Sequence, residues 1–269
     1  MKATDTGAAD RRSTTVRLMS ANGVRGGDRR DQRHQDVDAP DEWRLVRVLR
    51  RRARHLALRV YQPWAMRVIA RDRVTTIAGA RIEVPVGVFH PGLLFSSTRF
   101  VARRLERVSM DGASLLEVGC GAGLLSVLAA KRGARVTALD INATAVECTS
   151  ANARRNGVVV EAIVSDLFDA LAPRPFDIVV VTPPYFQADP IDDAARAWFA
   201  GANFEYYRRL FAGIDSFVGP STLAVMGQGE DSDVVAIGAI AAESGLRLEL
   251  WASKVLWFDQ QKLYRIVVA

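Results

Sequence analysis

Apolar residues along this chain alternate between two rhythms, short unbroken runs and longer stretches at helical spacing. Leu115 to Val118 is a short apolar run ended by glycine, the mark of a strand buried on both faces. Leu124 to Lys131 has helical composition, and Arg135 to Leu139 reads as a second strand with Asp140 at its carboxyl end. A helix over Ala143 to Asn156 is stopped by Gly157, and Val158 to Val164 is the third strand, ending in Ser165-Asp166. Phe176 to Val181 is the fourth. One or two helices are expected over Asp192 to Ser216, broken near Gly201 and carrying Trp198, Phe199, Phe204, Tyr206 and Tyr207 as core or pocket aromatics. Thr222 to Met226 is a fifth strand, Ser232 to Glu243 a helix, and Leu246 to Leu256 with Leu263 to Val268 a closing pair. The pattern predicts an α/β, Rossmann-like, seven-stranded sheet with a terminal antiparallel hairpin.

Upstream the rhythm is different. Met1 to Pro40 is rich in Asp, Arg, Gly, Ser and Gln, nearly free of aromatics, and is expected to be disordered. From Asp41, apolar positions at Trp43, Val46, Leu49, Ala53, Leu56 and Val60 predict a helix that Pro63 breaks, with another turn or two to Ala70. Val74 to Val88 alternates loosely and predicts a small β-hairpin turning at Gly79, followed by a helix from about Thr98 to Val108. Three divisions follow: a disordered segment over 1–40, a basic helical extension with the hairpin over 41–83, and the main domain over 84–269.

Length and charge refine this picture. At 269 residues, 49% of them hydrophobic, the chain can bury one large α/β core with extensions. The net charge of +6 conceals an asymmetry: residues 1–110 hold 23 Lys and Arg against 11 Asp and Glu, residues 111–269 hold 13 against 19. Six arginines between Arg44 and Arg54 are enough for a phosphate-tracking face, so residues 41–73 are a candidate contact for an anionic partner such as RNA or a ribonucleoprotein. A solvated helix face is the alternative. Two cysteines make no disulfide framework, no apolar leader is visible, and no run approaches ~18 uninterrupted apolar residues. The expectation is a soluble, cytoplasmic protein that does not contact membrane.

The chemistry concentrates in two stretches. The first is Glu117-Val-Gly119-Cys-Gly121-Ala-Gly123 between the first strand and its helix. A dinucleotide fingerprint would place its third glycine three positions after the second; here it comes two after, and position 124 is leucine. An acid two residues before the first glycine would also repel a pyrophosphate. The pattern E-x-G-x-G-x-G resembles motif I of the class I S-adenosylmethionine (SAM) dependent methyltransferases. That resemblance implies SAM as cofactor, with Glu117, Gly119, Gly121 and Gly123 in its cradle, Asp140 and Ile141 at the ribose, and Asp166 near the adenine amino group. A glycine turn in another α/β protein is the alternative for the first of these, and a cap for Leu167-Phe168 for Asp166.

The second stretch is Thr182-Pro-Pro-Tyr185, running directly from the fourth strand. It resembles the [N/D/S]-P-P-[Y/F/W] motif with which many amino-group methyltransferases end this strand. Two prolines fix φ and can hold carbonyls toward the crevice, where they accept N–H bonds from a planar amine or amide. A tyrosine can stack on the acceptor's flat face, worth ~1–3 kcal/mol for a base. Positioning then supplies most of the catalysis, and neither a metal nor a covalent nucleophile is needed. Thr182 departs from the motif, since a hydroxyl is smaller than a planar amide oxygen and also donates. Val86-Gly-Val-Phe-His-Pro further resembles the "VF-x-P" loop of the HemK-like glutamine methyltransferases, which Phe89 and Pro91 match; Gly92, Leu93 and Leu94 replace the residues that follow there. Phe89, His90, Phe186 and Trp198 are substrate candidates, His90 having a loop hydrogen bond as its alternative role. The reading is an N-methyltransferase acting on RNA or a translation-related protein. The alternatives are a small-molecule N-methyltransferase and a non-catalytic SAM- or RNA-binding module.

Overall fold

A computed structural model describes residues 71–92, 97–185, 187–190, 196, 199–230, 232–256 and 259–269. The segment over 1–40, the helix expected over 41–70, Phe186 and Trp198 lie outside the described residues.

The chain enters through a hairpin, β1 (Arg73–Ile77) and β2 (Ala80–Val84), paired antiparallel from Arg73↔Val84 to Ile77↔Ala80. Ala78 and Gly79 both turn with positive φ, the geometry that matches the twist of a two-residue hairpin. Helix α1 (Thr98–Leu105) leads to β3 (Ser114–Val118), then α2 (Leu124–Ala130), β4 (Arg135–Asp140), α3 (Ala143–Arg155) and β5 (Val160–Val164). The second half comprises β6 (Ile178–Val181), α4 (Glu205–Ile214), β7 (Leu223–Gln228), α5 (Val234–Glu243) and the long hairpin β8 (Leu246–Leu256) and β9 (Asp259–Val268).

The main sheet has seven strands in the order β5-β4-β3-β6-β7-β9-β8. β3, β4, β5, β6 and β7 run parallel, whereas β9 pairs antiparallel with both β7 and β8. Centrality explains the composition: Val179, Val180 and Val181 are wholly buried because helices cover both sheet faces. Each such valine gains ~1.5–3 kcal/mol over exposure. Phe211, Ile214 and Ile237 pack on one face against Val179 and Val181; Val101, Leu125 and Leu263 pack on the other against Leu115 and Val180. The chain winds outward from β3 to β5, then returns to β6 on the other side of β3. The crevice of an open α/β sheet opens at such a reversal, outside the carboxyl ends of the strands.

The hairpin is attached to the helices beside the main sheet. Its Ile77, Ala80, Ile82 and Val84 belong to one buried cluster with Leu124, Val127 and Cys148. Two asparagines one turn apart, Asn152 on α3 and Asn156 just past its end, complete the attachment by imitating a neighbouring strand. Asn152 Oδ1 accepts from Glu83 N (2.9 Å) while its Nδ2 donates to Glu83 O (2.8 Å). Asn156 does the same for Arg81, at 2.9 and 2.8 Å. The exposed edge of β2 is thereby paired rather than left as a template for aggregation. Among the described residues, no helix is long and apolar enough to cross a membrane.

Candidate active site

Strand ends and the turns after them assemble a crevice of about 320 Å³. Gly119 follows β3 immediately, and its N–H and that of Cys120 both donate to Leu139 O at 2.9 and 3.0 Å. This ties the turn to β4 and leaves little room. A Cβ on Gly119 would stand 3.0 Å from Thr182 O, and its φ of +81° disfavours any side chain. Gly123 serves a different purpose. A Cβ there would meet Thr149 at 2.7 Å, so its absence lets α2 pack against α3.

Asp140 ends β4 on the crevice wall. Its Oδ2 accepts from Gly121 N (2.8 Å) and its Oδ1 from Asn142 N (3.0 Å), which orients the carboxylate and leaves lone pairs on both oxygens. Burial raises its pKa, and the hydrogen bonds from Asn142, Gly121 and Ile141 hold it down in part. Ile141 is exposed on the same wall.

Glu117 lines the floor, but it is only 1% exposed. Its Oε2 accepts from Ser126 N (2.9 Å) and from Ser126 Oγ on α2. Burial pushes the carboxyl up to about 8 despite those two bonds. This corrects the argument that the acid repels a pyrophosphate by its charge, because at neutral pH burial keeps it largely protonated. Glu117 instead clamps the start of α2 beneath the turn.

Asp166 also lines the crevice, and α4 supplies its partner: Arg209 Nη1 lies 2.7 Å from Asp166 Oδ2, and Nη2 3.1 Å from Asp169 Oδ2. Next to it Leu167 takes a φ of +54°, a conformation rare for a branched residue outside functional sites. Nothing in the local sequence marks Arg209 for this role, since it lies 43 residues away on an ordinary helix face.

Thr182, Pro183, Pro184 and Tyr185 form the opposite wall. The segment is anchored at three points. Thr182 Oγ1 donates to Gly119 O at 2.7 Å, joining the two motifs directly. Tyr207 Oη donates to Pro184 O at 3.0 Å. The Tyr185 hydroxyl pairs with Ser97 Oγ. Ser97 occupies the N-cap position of α1 yet makes no capping bond, so its hydroxyl serves the tyrosine. The Pro184 carbonyl is thus engaged by Tyr207.

Phe89 lines the crevice, and His90 does not. His90 is 8% exposed and its Nδ1 accepts from Gly92 N (2.9 Å). Burial first, then Arg73 and Arg99, lower its pKa, so it is a neutral imidazole with its hydrogen on Nε2. Its role is to hold the loop. Among the described residues no group of His, Cys, Asp and Glu is arranged to hold a metal.

The residues present fit SAM. A carboxylate with lone pairs to spare suits two ribose hydroxyls, and the crevice runs from Asp166 past the glycine turn to the Pro-Pro-Tyr wall.

Residues 79–204 match the family described as the methyltransferase small domain. The chain is 38% identical over 117 residues to the ribosomal RNA small subunit methyltransferase C of Chromohalobacter salexigens, covering 43% of this chain and 35% of that one. It is 40% identical over 96 residues to the ribosomal protein L11 methyltransferase of Thermosipho africanus, covering 34% and 36%. The chain thus spans about a third of the length of these curated relatives. A T. thermophilus 16S rRNA N2 G1207 methyltransferase, solved with AdoMet and guanosine, superposes with a TM-score of 0.52 at 20% identity, covering 72% of this chain and 50% of that one.

Proposed function

We propose that the chain, whose residues 79–204 match the methyltransferase small domain, is a class I SAM-dependent methyltransferase that methylates a nitrogen held by Thr182 to Tyr185. One observation carries the proposal: Asp140 and the Thr-Pro-Pro-Tyr segment line the same crevice, joined by the Thr182 to Gly119 hydrogen bond. The bound cofactor supplies a methyl group already activated on a sulfonium. Asp140 would accept from the ribose hydroxyls, and Asp166, steadied by Arg209, would meet the adenine. On the acceptor side, the Thr182 hydroxyl has committed its hydrogen to Gly119, so only its lone pairs remain for an acceptor N–H. With Thr182 Oγ1 and the Pro183 carbonyl accepting its hydrogens, an amine or amide nitrogen directs its lone pair toward the methyl. Tyr185 covers its flat face, and alignment of this kind supplies a large share of a transfer rate.

For the acceptor we favour a nitrogen in RNA or in a translation-related protein. The names of relatives acting on ribosomal RNA and on ribosomal protein L11 support this range, as does the arginine-rich stretch over 41–73. Incubation with tritiated SAM and fractionated cell extract tests it: label should enter RNA or protein. Label confined to small molecules would move the acceptor to a metabolite. SAM binding without labelling of any fraction would leave a binding module.

A further inference from the structure

The acceptor wall is braced from behind by two wholly buried polar side chains that no motif announces. Tyr207, on α4, and Gln228, at the end of β7, are both 0% exposed. Tyr207 Oη lies 3.0 Å from Pro184 O, 3.1 Å from Gln228 Nε2 and 3.3 Å from Gln228 Oε1. A phenol has one hydrogen, and a carbonyl can only accept. If that hydrogen went to Gln228, the buried Pro184 carbonyl would lose its partner, an arrangement that burial penalises. The donor order is therefore Gln228 Nε2–H to Tyr207 Oη, and Tyr207 Oη–H to Pro184 O. Chains with one direction of donation strengthen each member.

The location matters because of what prolines remove. Each ring locks its own φ, and each proline confines the ψ of the residue before it. Thr182 is in turn held to β3 through its N–H on Val118 O at 3.1 Å. Between Thr182 and Tyr185 the one soft backbone torsion left is ψ of Pro184, which sets the direction of the Pro184 carbonyl. That is the atom Tyr207 grips. We propose that Gln228 and Tyr207 are positioning residues, a buried relay that fixes this last torsion and so aims Tyr185 at the methyl acceptor. The proposal rests on the reading of Thr182 to Tyr185 as the acceptor site.

The test uses the full chain with proline carbonyls labelled with ¹³C, and tritiated SAM with the RNA and protein fractions of a cell extract. Tyr207→Phe keeps the ring and removes the hydrogen. It should shift the Pro184 carbonyl resonance and lower kcat at least about tenfold with KM for SAM unchanged, in line with ~10² for a 1 Å misplacement. Gln228→Glu is the sharper variant. When protonated its carboxyl can still donate to Tyr207; when ionised it can only accept, and it draws the hydrogen off Pro184. Its turnover should therefore fall with rising pH along a limb absent from the wild type, and adding Tyr207→Phe should abolish that limb. An unmoved Pro184 resonance in Tyr207→Phe would overturn the relay whatever the turnover. A moved resonance with unchanged kcat would overturn its positioning role. A wild type that labels neither fraction would refute the acceptor reading and this role with it, while the resonance would still report on the relay itself.

Discussion

At Asp140 burial and charge compete on one carboxyl. Burial raises its pKa, so protonation sets in above the ordinary range of an aspartate. The affinity of the wild type for SAM should accordingly fall as the pH drops through that raised value, because the neutral acid accepts less strongly from ribose hydroxyls. Asp140→Asn keeps the size and removes the charge. Loss of a charge-assisted bond worth ~1.5–3 kcal/mol predicts at least a tenfold weaker Kd with no acid limb, readable by calorimetry across pH. Equal affinities for the two proteins would remove Asp140 from the ribose. Thr182 carries a second prediction at this scale. Its hydroxyl, 2.7 Å from Gly119 O, joins acceptor wall to cofactor turn. Thr182→Val preserves shape and deletes that bond, so it should cost ~1 kcal/mol of stability and at least an order of magnitude in kcat. Full turnover by the valine variant would mean that the hydroxyl neither ties the motifs nor meets the acceptor.

Among the elements, the unit of β3, turn and α2 depends on a buried acid. Glu117 titrates near 8 in the folded chain against 4.5 as its ordinary value, so between those values the folded state binds the extra proton. Stability should fall as pH rises from about 4.5 toward 8 and level off beyond, following the proton excess of the folded state. Glu117→Gln has no such proton to lose, and denaturant unfolding at pH 5, 6.5 and 8 should show the slope reduced in that variant. Helix α3 holds the hairpin by another means. Asn152 is wholly buried and satisfies both backbone groups of Glu83, so Asn152→Ala should destabilise by at least ~1–3 kcal/mol. Asn156→Ala, at the more exposed end of the same ladder, should cost less, and urea midpoints of the two variants would rank them.

For the whole molecule the charge asymmetry carries the prediction. Residues 1–110 are strongly basic and residues 111–269 acidic, so an anionic acceptor should meet the chain at its front. Removing residues 1–70 spares every described residue of the crevice. SAM affinity should therefore be retained while binding to RNA weakens, and binding by the full chain should fall steeply with salt. RNA binding indifferent to salt would leave the arginines with a structural role.

Much of this was legible from the order of residues alone. Runs such as Ile178 to Val181 must be buried on both faces, and a strand, a glycine turn, a helix and a strand ending in Asp140 admit few arrangements. Periodicity and backbone chemistry are local, so they survive in one dimension. The partners of polar side chains do not, because they depend on distances across the fold. Pattern could not show that Arg209 would reach Asp166 or that Ser97 would leave its cap for Tyr185. Nor could it show that Glu117 would be neutralised beneath its own turn, since a pKa reports the dielectric and the donors that only packing brings together. The hairpin was visible as a hairpin, yet its attachment rested on two asparagines 75 and 69 residues away. Sequence determined the strands and the motifs at their ends; tertiary packing decided which of their atoms were left to do chemistry.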